Sequence, residues 1–102
     1  MIIDVDRAAA SVTVVEPDVL DAFSARSDTT DDAAVGEAMG PAGHAAGDAH
    51  VWVDAAWVRS QVGDSAGADW AERFDQMVAY AASKGWTDEA GTHVKAHIEL
   101  RP

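Results

Sequence analysis

The sequence predicts an α+β fold, a small antiparallel or mixed sheet of three to four strands with helices packed on one face. Two stretches carry the prediction. Residues 92–100 alternate strictly, Val94, Ala96, Ile98 and Leu100 against His93, Lys95, His97 and Glu99, which is the period of two of a strand with one wet flank. Residues 69–84 instead place Trp70, Phe74, Met77, Val78 and Ala81 at intervals of three and four, the stripe of an amphipathic helix. At 102 residues the chain fits a single domain, 1–102.

The remaining elements follow in order. Residues 2–5 and 11–15 are β-branched runs suited to strands. Ala8, Ala9 and Ala10 between them fit either a loose turn or one helical turn. Pro17 suits a first helical position, and Val19, Leu20 and Phe23 then share a face, which predicts a helix over 17–26. Residues 24–49 hold only Val35 and Met39 as large apolar side chains, among Asp28, Asp31, Asp32, Gly36, Gly40, Pro41, Gly43 and Gly47. This composition predicts a flexible loop at about 27–49, in which Thr30 caps at most a brief helix over 31–39. His50 to Asp54 alternates as a strand. Asp54 is then a good N-cap for a helix over 55–62, which Gly63 stops. Asp69 and Glu72 have the spacing of a capping box, Gly85 ends the long helix, and residues 87–91 are turn chemistry.

Charge and composition bound the function. Eighteen acidic residues against seven basic ones give a net charge of −11, which repels phosphate, so nucleic acid and anionic membranes are not expected partners. A protein partner, basic or a second copy of the chain, is the expected one. The absence of Cys removes disulfides, thiolate nucleophiles and Cys-based metal sites. With no apolar run long enough for a membrane span and no basic start leading into one, a soluble, cytoplasmic protein is expected. No phosphate-binding Gly motif and no Ca²⁺ loop spacing is present, so no cofactor is expected. Large hydrophobic residues are few, twelve of them Val, and the burial depends on Trp52, Trp57, Trp70, Trp86, Phe23, Phe74 and Tyr80.

Two groups of residues can carry chemistry. His93 and His97 would share a metal if helical. As strand residues four apart they lie about 13 Å from each other, and no metal site is expected there. If strand 50–54 pairs with 92–100, however, His50, Trp52 and Asp54 share a surface with His93, Lys95, His97 and Glu99. His50, His93 and His97 are then candidates for acid–base catalysis. Trp52, Asp54, Lys95 and Glu99 are candidates for binding a small molecule, with His44 on the Gly-rich loop as a lid. The plain alternative is a solvated sheet face. Trp57, Trp70 and Trp86 either fill the core of one chain or form a self-association surface.

Three functions follow. The first is a small acidic binding or accessory domain that docks a basic protein or self-associates. The second is a small-molecule-binding protein or enzyme, acid–base or isomerase-like, using the His/Trp cluster. The third is a His/carboxylate metal-binding protein using the same His with Glu99 or Asp54.

Overall fold

A computed structural model describes residues 1–63 and 65–101. The first two β-branched runs form a hairpin of β1 (Ile2–Asp6) and β2 (Ser11–Val15), antiparallel, with Ile2 opposite Val15 and Asp6 opposite Ser11. Their join is a turn. The Asp6 carboxylate accepts the N–H of Ala9 at 3.1 Å, and Ala10 takes the left-handed region at φ 52°.

The helix expected over 17–26 does not form. Residues 16–23 run through turns and lead into β3 (Ser24–Ser27). The carbonyls such a helix would use internally are taken by distant donors. The α-ammonium of Met1 donates to Val19 and Ala22, the Trp70 indole donates to Pro17 at 2.7 Å, and Arg73 donates to Asp18 at 3.2 Å. Glu16, at φ 53°, breaks the backbone before Pro17. Ala25 and Ser27 of β3 are fully buried, and the Ser27 hydroxyl donates to the carbonyl of Val5 at 2.9 Å.

The stretch 27–49, expected as a loop, also carries regular structure. Helix α1 (Asp32–Met39) is capped by Asp31, not Thr30, with the Asp31 side chain accepting the N–H of Ala33. One 3₁₀ turn (Gly40–Ala42) follows, then β4 (Gly43–Gly47) and β5 (His50–Asp54), an antiparallel hairpin. Asp48 and Ala49 form its two-residue turn, both at positive φ, which matches the twist of the strands. The glycines that read as looseness serve close approach. A Cβ on Gly36 would lie 2.4 Å from the backbone nitrogen of Ala45, and one on Gly43 would lie 1.9 Å from the carbonyl oxygen of Trp52.

Helix α2 (Ala55–Val62) starts at Asp54 as expected, the carboxylate accepting from Ala56 and Trp57, and ends at Gly63 in the left-handed region. Helix α3 (Trp70–Ser83) matches its apolar stripe, although Asp69 makes no capping bond. The final strand β6 (His93–Leu100) inserts between β3, to which it is parallel, and β5, to which it is antiparallel.

Among the described residues, six strands form one mixed sheet in the order β2-β1-β3-β6-β5-β4, accompanied by three α-helices. The class is the expected α+β, and the sheet is larger because β3 and β4 were not read as strands. Ile3, Val5, Val51, Val53, Ala96 and Ile98 turn one way and meet Val35 and Met39 of α1, Val58 of α2, and Trp70 and Phe74 of α3 in one core. Trp70 is buried there, Trp57 packs half-buried against it, and Trp86 stays 48% exposed. Leu100 lies past this core and is exposed. Among the described residues no helix is long and apolar enough to cross a membrane.

Candidate functional site

Because strand side chains alternate, burying Val51 and Val53 of β5 and Val94, Ala96 and Ile98 of β6 sends the residues between them to the other side of the sheet. The register then decides which of them meet. His50 stands opposite His97, Trp52 opposite Lys95 and Asp54 opposite His93, while His44 of β4 stands opposite Trp52. His50, Trp52, Asp54, His93, Lys95, His97 and Glu99 therefore share one face, as the alternation implies. The fourth imidazole, His44, joins them from a paired strand and not from a lid.

The three imidazoles His50, His93 and His97 do not meet at one point. The His50 and His97 rings contact edge-on with centroids 5.2 Å apart. His93 instead contacts His44, at 5.1 Å. Between the two pairs the Lys95 ammonium lies 5.2 Å over the Trp52 ring, a cation–π contact. Glu99 stands beyond, opposite Arg26 of β3. Asp4 nearby accepts from Arg101 at 2.6 Å and from Arg26 at 3.5 Å. Burial opposes ionisation of Asp4, but these two guanidinium contacts outweigh it and hold its pKa below the ordinary carboxylate value.

His93 has the most defined surroundings. Its Nδ1 lies 3.1 Å from Asp88 Oδ2 and 2.8 Å from the Thr92 hydroxyl, which itself donates to Asp88 Oδ2 at 3.0 Å. A carboxylate only accepts, so Nδ1 carries the proton and Nε2 is left with the lone pair in the neutral ring. Asp54 Oδ2 stands 3.9 Å from that Nε2, while its Oδ1 caps α2. His50 is oriented in the same sense, Nδ1 donating to the carbonyl of Asp48 at 2.7 Å. Among the described residues no group of three or more His, Asp or Glu side chains is placed to hold a metal ion.

Asp88 and Thr92 were not singled out in the sequence, where 87–91 read only as a turn. The available signal was an Asp four residues before Thr92, a spacing that lets one carboxylate fold back on its own turn. The backbone N–H of His93 is the largest of the contacts that pull the Asp88 pKa down to about 2. The hydroxyl and N–H of Thr92 and the His93 ring add to it against an opposing desolvation. Since the folded value lies below the ordinary one, this carboxylate stabilises the fold above about pH 4 and loses that contribution as pH falls towards 2. Asp88→Asn is expected to flatten the acid limb of a urea-midpoint profile over that window. An unchanged limb would show that the turn does not depend on the charge.

Tyr80 was also passed over as a site residue, and Trp86 was read only as core or as part of a self-association surface. They form an edge-on pair with centroids 6.0 Å apart, 57% and 48% exposed, on the lip of a cavity of about 430 Å³. The signal was a large ring off the helix stripe followed by one just past Gly85. Set against protein-family models, curated proteins and solved structures, the chain matches none of them.

Proposed function

We propose that the chain is an acidic binding module that docks a basic protein partner through the uncovered face of its sheet. The observation carrying this reading is that Trp52 and all four histidines gather on that one face in a chain of net charge −11. A large aromatic ring at the centre with polar groups around it suits an interface, where a few buried aromatic anchors supply most of the energy. The cations on this face are already engaged, Arg26 and Arg101 by Asp4 and Lys95 by Trp52. Asp6, Asp48, Glu89 and Glu99 around it make no ion pair among the described residues, which favours a basic partner and speeds its encounter.

The test is a titration with a peptide of alternating Lys and Leu, followed by NMR of the histidine rings and Trp52. Shifts centred on His50, His97, Trp52 and His93 are expected, with at least tenfold weaker binding between about 0.05 and 0.5 M salt. Trp52→Ala is expected to weaken binding a further tenfold or more, as for an interface anchor worth about 2 kcal/mol. Shifts confined to α1 and α3 would remove the sheet face from the reading. A dimer that strengthens with salt would replace the basic partner by a second copy, since screening relieves repulsion between like-charged chains.

One observation favours a second reading, an acid–base catalyst acting on a small molecule: the Asp88 and Thr92 contacts fix the His93 tautomer and leave Nε2 as the base. It requires a turnover that His93→Gln abolishes and Trp52→Ala does not.

A further inference from the structure

The cavity of about 430 Å³ lies at a break in the sheet. Along one flank β6 is paired by β3 from His97 onward and by the isolated bridge of Thr87 to Val94, in which the Lys95 N–H donates to the Trp86 carbonyl at 2.7 Å, so the pairing on that side breaks at Ala96. Phe23 and Trp86 line the gap, and Leu20, Met77, Tyr80 and Val94 complete an apolar wall. A cavity of this size is within the range that holds small organic molecules.

Charge tells which kind. Arg7, Arg26, Arg59 and Arg101 are all in ion pairs with carboxylates. Arg73 donates to the Asp18 carbonyl, and neither lysine of the chain is in an ion pair among the described residues. Lys95 lines the cavity, and the Lys84 ammonium lies 5.6 Å over the ring of Tyr80 on its lip. In a chain with a large excess of acid, the Lys84 ammonium beside an aromatic cavity is placed for an external anion, while the Lys95 ammonium is turned to Trp52 on the uncovered sheet face. Asp21 also lines the cavity, but its charge acts on the Met1 ammonium, which sits in the same segment against the carbonyls of Val19 and Ala22.

We propose that this cavity binds a small carboxylate with an apolar or aromatic body, the body between Phe23, Met77 and Trp86 and the carboxylate towards Lys84. This site is separate from the docking face, apart from Lys95, and either can fail without the other.

The probe is 1-naphthoate, with 1-naphthylmethylamine as its cationic counterpart, read by calorimetry and by tryptophan fluorescence. Saturable binding of naphthoate with a Kd of about 1 mM or tighter is expected, an ordinary affinity for a ligand of that size, and at least tenfold weaker binding of the amine. Ala22 is an exposed residue of the lining, so Ala22→Trp is expected to close the mouth and abolish naphthoate binding while leaving Lys-Leu peptide docking unchanged. Lys84→Gln is expected to lose about tenfold for naphthoate and to bring the two probes together. No saturation by naphthoate would overturn the proposal, as would equal binding of the amine or full naphthoate binding by a folded Ala22→Trp variant.

Discussion

Gly43→Ala is expected to lower stability by about 3 kcal/mol or more, because the added Cβ would sit 1.9 Å from the Trp52 carbonyl oxygen and 2.9 Å from the end of Met39. Met39 can move, but the carbonyl belongs to the neighbouring strand backbone, so β4 must part from β5 to make room. In a chain whose total stability is of the order of 5–10 kcal/mol, that is a large fraction. The measurement is the urea midpoint at constant slope. Gly47→Ala is the control. Its Cβ would meet nothing within 4 Å, but its φ is 88°, so only backbone strain of about 1–2 kcal/mol is expected. Equal losses at the two positions would show that conformation, and not close approach, selects glycine in this hairpin.

Trp70→Ala is expected to cost about 3–5 kcal/mol, the range for deleting a buried aromatic. Trp70 is 2% exposed and stacks on Phe74 with centroids 4.9 Å apart. Its indole N–H also holds the Pro17 carbonyl, so it ties the 16–23 segment to α3. Trp70→Phe keeps most of the ring and removes that bond, for an expected loss of about 1–3 kcal/mol. Amide exchange over residues 19–23 should quicken more than over β5. Exchange that quickens equally everywhere would mean that Trp70 acts only through the core.

What the sequence reveals and what it hides divides along local and distant causes. Helix α3, the Asp54 cap on α2, and strands β5 and β6 are legible because period and capping are local. That His50, Trp52 and Asp54 share a face with His93, Lys95, His97 and Glu99 follows from alternation once the two strands pair. The split of the imidazoles into two pairs depends on the register that sets His50 against His97, and nothing local fixes that register. Ser24–Ser27 has neither alternation nor a β-branched residue and becomes a strand because β1 and β6 pair with it on either side. Gly36 and Gly43 mislead for another reason: the same residue type serves loose loops and tight backbone contact, and only the packing partner distinguishes them. The cavity was hidden because its wall, residues 20–23, takes a path set by Met1 and Trp70 rather than by its own helical preference.

The position of β6 at the centre of the sheet makes the backbone pairing of its two halves depend on the last strand. The hairpin of β1 and β2 with its neighbour β3, and the hairpin of β4 and β5, form two separate flaps until the last strand stitches them together. Such distant pairing slows folding, since long loops must close before the contacts reward them. The ring contacts on the uncovered sheet face, His44 with His93, His50 with His97 and Lys95 over Trp52, all include a residue of that stitch, so no fragment lacking residues 93–100 inherits any of them. The histidine ring signals thus serve as a direct gauge of how much of the population has completed the weave.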